Sequence, residues 1–498
     1  MNFSNDKWHV ASTLIAGAIL PLAFAPHNYY VIALFSLAVL FISWIDATPK
    51  QAFLRGWFFG VGLFGFGVTW IYTSMHDYGG VSFGLSIFLV SLFVSFLALF
   101  PAFSGMLVAR LLSSATKPIA CVCLLASSWV FIEWVRGMIF TGFPWLNVGY
   151  SQIEGPLSAF APVLGVYGIS GLLALLAAIL AWVFVRRKFL WVTGYLLFAS
   201  IITIGLGLSQ LQWTQTLGKP IKVSLIQGNI PQDMKWLPEL RQPSMDLYRD
   251  LSRDNWDSDL IIWPETALPD FYHRSLGFID DLNIEAQQNK TDILLGVLYM
   301  DIESDRYYNS VIALSDKNNA FYHKRHLVPF TEYLPMKSVL GALVDFMNVP
   351  MSNFGAGKKG QTLLHVAGVD VGVSICFEDA FGEEMIALLP QASVLVNVSN
   401  DAWFEGTDAP YQHLQMAQMR ALELGRPMLR ATNTGVTAVM DHLGRFQSIA
   451  PNLEIAVLTE SIQPMKGITP YVRFGNAPVV ICFLLILAFG VYNIRNSA

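Results

Sequence analysis

Val371-Gly372-Val373-Ser374-Ile375-Cys376-Phe377-Glu378-Asp379 is an apolar, β-branched run that ends on a cysteine and passes at once into acidic residues. Such a run predicts a buried strand, and the acidic pair behind it suits a helix N-terminus. A strand–nucleophile–helix turn exposes the sulfur and lets the following backbone N–H groups face an oxyanion. Cys376 is the only cysteine between residues 219 and 473, so no disulfide partner exists within that segment. The competing reading is a buried, inert thiol.

Working outward, the same segment alternates strand-like and amphipathic runs, the pattern of an α/β domain. Strands are predicted at Ile221–Gln227, Leu260–Trp263, Ile293–Tyr299, Ser310–Leu314, Val371–Ile375, Val394–Val398 and Thr437–Met440, and helices at 240–254, 275–289, 380–389 and 411–425. Two further polar residues stand next to strands, where α/β enzymes place chemistry. Glu265 follows Leu260-Ile-Ile-Trp-Pro, and Lys324 lies in Tyr322-His-Lys-Arg-His-Leu-Val-Pro-Phe-Thr-Glu. Read alone, Glu265 is a surface cap and Lys324 a solvated loop lysine. Together with Cys376 they make an acyl-transfer set: a carboxylate takes the thiol proton, and an ammonium favours the thiolate and steadies the tetrahedral oxyanion. No metal-ligand spacing, phosphate loop or G-x-S-x-G is present, so neither metal nor cofactor is expected.

The rest of the chain is written for another solvent. Hydrophobic residues make up 54% of the chain and charged residues 13%, about half the share of a soluble domain. Residues 1–218 hold 14 Asp, Glu, Lys and Arg, whereas 219–473 hold 52. Charge-poor runs predict spans at 8–45 (two, turning at Pro26-His27-Asn28), 56–76, 78–109, from about 119 through Glu133 and Arg136, 162–185, 189–209 and 474–494. The expected architecture is a polytopic α-helical bundle of eight spans plus the α/β domain: seven spans in 1–218, a catalytic domain in 219–473, and the eighth span in 474–498. The first span lacks a small-residue cleavage site and runs into the second, so it is not read as a cleaved leader. Lys7, Lys50, Arg55, Arg110, Lys117, Arg186, Arg187, Lys188 and Arg495 fall on one side and Arg136 alone on the other. The positive-inside rule then puts both termini in the cytoplasm and the α/β domain outside. Glu133 and Arg136, three apart on one helix, are expected to pair. The net charge of −5 excludes a strongly basic nucleic-acid binder.

Trp-Pro-Glu, Lys-x-His-Leu-Val-Pro-Phe-x-Glu and Cys-Phe-Glu occur in that order, with the three candidate residues 59 and 52 positions apart. This resembles the nitrilase (carbon–nitrogen hydrolase) superfamily. With a membrane bundle before the domain and a span after it, the chain is similar to the bacterial apolipoprotein N-acyltransferases within it. Gln227-Gly-Asn-Ile-Pro-Gln with Trp236, Thr141-Gly-Phe-Pro-Trp-Leu, Asn400-Asp-Ala-Trp-Phe and Leu429-Arg-Ala-Thr-Asn also fit. One position departs: Phe377 stands where the family commonly has Tyr, so the ring is kept and the hydroxyl lost.

The resemblance implies a nitrilase-like αββα sandwich and a two-step reaction. Cys376 would take an acyl chain from a phospholipid, with phosphatidylethanolamine as donor, as a thioester. The N-terminal amine of a diacylglyceryl-cysteine apolipoprotein would then receive it, at the bacterial inner membrane with the domain in the periplasm. Glu265 would be the base and Lys324 the oxyanion partner. Glu332 and Glu378 would orient Lys324 or tune its proton. Trp236, Trp403 and Phe404 would line or gate the acyl entrance, with Phe377 beside the thiol. Trp145 would contact lipid or sit in an interfacial aromatic belt. Two rivals remain: an amide or nitrile hydrolase using the same residues with water as acceptor, and a non-enzymatic lipoprotein carrier. The spans favour a lipid substrate, and a carrier leaves the three residues unexplained.

Overall fold

The computed structural model describes residues 3–112, 118–186, 190–316, 319–329, 331–333 and 354–495. Lys117, Arg187, Lys188 and Phe330, used above, lie outside them. Two compact units emerge. One comprises Met1–His76, Ser82–Leu211 and Arg473–Ala498; the other comprises Asp77–Val81 and Gln212–Val472.

The first unit is helical. Helices occupy the predicted places, at Phe3–Ile19, Val31–Trp44, Pro49–Gly67, Phe83–Leu112, Pro118–Arg136, Ala161–Arg186, Leu190–Leu208 and Ala477–Arg495. Among the described residues, three stretches are long and apolar enough to cross a membrane: Phe83–Leu112, Pro118–Arg136 and Ser158–Arg186. A fourth span results if Pro49–Gly67 and Trp70–Tyr78, bent by 52° at their break, count as one. The others are shorter or carry polar residues, as Phe3–Ile19 does with Asp6, Lys7 and His9. Glycines let these helices meet backbone to backbone. A Cβ at Gly17 would lie 2.0 Å from the Phe59 carbonyl oxygen, and one at Gly56 would lie 2.4 Å from that of Pro101, the close small-residue packing of membrane helices.

Glu133 and Arg136 are buried, but their side chains serve the loop that follows their helix rather than a hydrogen bond to each other. Arg136 donates to the Phe143 and Trp145 carbonyls (2.7 and 2.6 Å) and to Asn147 Oδ1 (2.7 Å). Glu133 Oε1 accepts from the Val148 N–H at 2.9 Å and from Trp129 Nε1 at 3.1 Å. The loop's own backbone groups are thereby satisfied where water is scarce. Trp145 is 3% exposed, with the Trp70 ring 4.9 Å and the Phe143 ring 6.2 Å away. This is the packing of a core ring, and it replaces the expected belt position.

The second unit is a four-layer sandwich. Its first strands are β1 (Thr214–Thr216), β2 (Ile221–Gln227), β3 (Leu260–Ile262), β4 (Asp292–Asp301), β5 (Arg306–Leu314) and β6 (Ala320–His323). The later ones are β7 (Leu364–Val366), β8 (Val369–Ile375), β9 (Val394–Ser399), β10 (Met428–Thr432), β11 (Ala438–Met440), β12 (Phe446–Ile449), β13 (Ala456–Ile462) and β14 (Met465–Gly467). One six-stranded sheet runs β13-β2-β3-β4-β5-β6, the other β12-β11-β10-β9-β8-β7, and β1 pairs with β14. Each large sheet has three parallel strands at its centre, β2-β3-β4 in one and β8-β9-β10 in the other, flanked by antiparallel neighbours. Parallel strands covered on both faces read as continuous apolar runs, which is why five of these six were legible and β10, interrupted by Arg430, was not.

Val223, Leu225, Leu260, Ile262, Val371, Val373, Val396 and Leu429 fill the layer between the sheets. The outer face of the first sheet packs under the helices Pro238–Arg253 and Leu276–Gln288 through Met245, Tyr248, Ile279 and Leu282. That of the second packs under Ala409–Leu424 through Leu414, Ala417 and Leu424. The helix expected at 380–389 is instead a 3-10 turn, Cys376–Ala380, and a short helix, Gly382–Ile386, broken where Phe381 leaves helical geometry (φ −104°, ψ 86°).

Candidate active site

Each of the three sequence-predicted residues is carried by the end of a strand. Pro264 cannot continue the ladder, so β3 stops and Glu265 turns inward, 8% exposed. Its Oε1 accepts from Asn309 Nδ2 at 2.6 Å and its Oε2 from the Asn400 N–H at 2.8 Å. Gly296 on β4 makes the turn possible. A Cβ there would sit 2.1 Å from the Pro264 carbonyl oxygen and 2.9 Å from the Glu265 Cα.

Lys324 follows β6 and is 1% exposed. Its backbone is tied at both ends, N–H to the Asn309 carbonyl and carbonyl to the Gly357 N–H, each at 2.8 Å. Its ammonium donates to Glu332 Oε1 at 2.8 Å. Asn309 Nδ2 also reaches Glu332 Oε1, at 3.4 Å, so one amide joins the surroundings of Glu265 and Lys324.

Cys376 directly follows β8 with φ +53°, a conformation that costs a non-glycine residue about 1–3 kcal/mol. The surroundings fix it. Asn397 Nδ2 donates to the Cys376 carbonyl at 3.1 Å, and His413 Nε2 lies 3.2 Å from the same oxygen. Glu378, 1% exposed, accepts from the Ile375 N–H (2.7 Å), the Arg325 N–H (2.6 Å), the His326 N–H (3.1 Å) and the Tyr322 hydroxyl (2.9 Å). It therefore fastens the nucleophile turn to the backbone just after Lys324 and makes no hydrogen bond to the ammonium itself. Glu332 is the carboxylate that accepts from the ammonium. Phe377 packs edge-on to Phe381 at 5.0 Å, with His326 at 5.9 Å.

The charges act on one another. Burial pushes the Cys376 thiol well above its ordinary range and Glu265 adds to this, while Lys324 opposes it. Burial likewise raises Glu265, with Lys324 lowering it and Glu332 raising it. Burial works against the Lys324 proton, but Glu332, Cys376 and Glu265 outweigh it and hold the ammonium above the usual lysine range. Burial thus favours the neutral form of both the Cys376 thiol and the Glu265 carboxyl, while the Lys324 ammonium favours the charged form of each.

Trp236 and Trp403 are 39% and 37% exposed. Phe404 is half-buried and closes the 3-10 turn Asp401–Phe404. Their segments share the anchors of the three candidate residues: Asn400 Nδ2 donates to Gln232 Oε1 at 2.8 Å.

Sequence reasoning missed the support beneath the thiol. Arg430, fully buried on β10, reaches Asp401 Oδ2 at 2.8 Å and Asp379 Oδ2 at 3.3 Å. His413 Nε2 lies 3.0 Å from Asp379 Oδ1 and its Nδ1 3.2 Å from Asp401 Oδ1. An arginine inside the apolar run Met428–Thr432 was the available signal. Asn309 and Lys235 were also passed over. Among the described residues no group of three or more His, Cys, Asp or Glu could hold a metal ion.

Residues 16–179 match the family model of the apolipoprotein N-acyltransferase N-terminal domain, and residues 222–467 match that of the carbon–nitrogen hydrolases. The curated apolipoprotein N-acyltransferase of Methylococcus capsulatus is 46% identical over 471 residues, covering 94% of this chain and 92% of its own. The chain belongs to the apolipoprotein N-acyltransferase family. It is accordingly an acyltransferase, with a nitrilase-like domain and membrane-type apolar helices. The relative from Nitrosomonas europaea is 44% identical over 98% of this chain and 97% of its own. Among solved structures, Saccharomyces cerevisiae Nit3, of the nitrilase superfamily, is 17% identical with a TM-score of 0.39, over 51% of this chain and 93% of its own.

Proposed function

We propose that this acyltransferase moves an acyl chain from a phospholipid, phosphatidylethanolamine in the first instance, through a thioester on Cys376 to the N-terminal amine of a diacylglyceryl-cysteine apolipoprotein. In the first half, Glu265 takes the thiol proton as Cys376 Sγ bonds to the ester carbonyl carbon. Lys324 steadies the tetrahedral oxyanion. The C–O bond breaks, and the lysophospholipid leaves with the proton held by Glu265. In the second half the acceptor amine attacks the thioester carbonyl and gives a proton to Glu265. The C–S bond breaks, the proton returns to sulfur, and an amide remains. One carboxylate thus shuttles the proton in both halves.

The observation that carries this reading is the Asn309 amide reaching both Glu265 and Glu332 while Glu332 holds Lys324, beside a thiol whose proton both Glu265 and Lys324 influence. Eight spans, cytoplasmic termini and a periplasmic catalytic unit complete the proposal, resting on the apolar helices and the one-sided basic residues. Such a placement puts the thiol where both lipid substrates lie. The test is a single turnover of the full-length enzyme with radiolabelled phosphatidylethanolamine. Label should bind covalently, be released by hydroxylamine, map to Cys376 and be absent in Cys376→Ala. Label retained in Cys376→Ala would refute it.

A further inference from the structure

Lys235 is a second deeply buried lysine of the catalytic unit, 2% exposed, and the two half-reactions leave it without a task. Its backbone N–H closes a turn on the Pro231 carbonyl at 3.0 Å. Its ammonium donates to the Glu265 carbonyl at 3.2 Å and to Thr266 Oγ1 at 2.9 Å. Thr266 has φ +45°, a left-handed conformation that a β-branched residue holds only when its surroundings impose it. Gly296 packs against the other side of this turn, where even a Cβ would lie 2.7 Å from the Thr266 nitrogen. The Glu265 turn is therefore clamped between β4 and one ammonium.

The same loop also reaches the carboxylate end. Gln232 accepts from Asn400 Nδ2, and the Asn400 N–H donates to Glu265 Oε2. On its outer side the loop exposes Met234, Trp236 and Leu237, at 39%, 39% and 40%. A buried ammonium is costly to keep, and burial draws Lys235 down to about 8 while Glu265 pulls it the other way. The charged groups acting on Glu265 are Lys324, Glu332 and Lys235, with the Cys376 thiol beside them.

We propose that Lys235 is a positioning residue: its ammonium fixes the Glu265 turn, favours the charged carboxylate, and so couples the seating of the exposed Met234–Leu237 segment to the readiness of the base. This rests on Glu265 being the general base. The experiment is the pH dependence of kcat and KM for full-length enzyme in detergent micelles, with a fluorescent phospholipid donor and a diacylglyceryl-cysteine peptide. Lys235→Met removes the charge and keeps the bulk. Losing a nearby cation raises a carboxyl pKa, so the acid limb should move up by about one pH unit. kcat should fall roughly tenfold or more with KM nearly unchanged, because the turn is looser. Lys235→Arg keeps the charge and should leave the limb near its wild-type position. Lys235→Gln is read as the Met variant is, should the latter not fold. A limb unmoved in the neutral variant, or moved equally in Lys235→Arg, overturns the proposal. Glu265→Gln is the separate control: if it stays active, the base assignment itself fails, whatever position 235 does.

Discussion

Glu332 sits at the balance point of the site, since it holds the Lys324 proton and raises Glu265 at once. Glu332→Gln removes one negative charge that both residues feel. Glu265 should then ionise at lower pH, so the acid limb of kcat/KM moves down. Lys324 should give up its proton more easily, so the fall in rate on the alkaline side should begin at lower pH than in the wild type. A pH–rate profile of the two proteins checks both signs, and an unshifted profile would mean the Glu332 contact is structural only. Legibility at this scale followed position in the strand. Glu265, Lys324 and Cys376 lie at or just past strand ends and could be found by looking there. Asn309 lies within β5, and Lys235 lies between Met234 and Trp236 in a loop. Their partners come from distant parts of the chain, so no local pattern announces them.

Among elements, the turns after β3 and β8 do most to set the chemistry. Gly296→Ala should disturb the first, because the Pro264 carbonyl cannot move aside for a Cβ. Overpacking of this kind costs about 1–3 kcal/mol or more. We expect a lower unfolding temperature by differential scanning fluorimetry together with a loss of activity well beyond what the stability change explains.

Under the second turn, burial and Arg430 act to deprotonate His413, but Asp379 and Asp401 outweigh them and lift it to about 9. A folded value above the unfolded one means that its stabilisation is complete below about 6.5 and is lost as pH rises through about 9. Lys235, drawn down to about 8, acts in the opposite sense, so the difference between wild type and His413→Gln is the quantity to measure. Chemical denaturation from pH 6 to 9.5 should show the wild-type advantage shrinking toward alkaline pH, and an advantage that stays constant would remove the charge from the cluster. Central strands such as β2, β8 and β9 were readable from their β-branched runs. β6, β7 and β12 were not, being only three or four residues long, and β10 was hidden by Arg430 and Thr432 within its run.

At the scale of the whole molecule, composition separated a membrane part from an α/β part because the two are written for different solvents. Family models covering 16–179 and 222–467 fall on either side of the same divide. The number of spans was less legible. Charge-poor runs mark where apolar helices lie, but among the described residues length and composition qualify three stretches, or four with the bent pair. Helices that pack closely through glycine against neighbours need not be long and uniformly apolar themselves.

The proposed mechanism turns on a covalent acyl-enzyme that an amine resolves. The measurement that meets it most directly is intact-protein mass spectrometry of the full-length enzyme, loaded with phosphatidylethanolamine, freed of donor, and followed in time with and without a diacylglyceryl-cysteine peptide. The wild type should gain one acyl mass, stable in buffer and cleared when the peptide is added, with the acyl group recovered on the peptide amine. An adduct that water clears as fast as the peptide does would contradict this mechanism and make this chain a hydrolase.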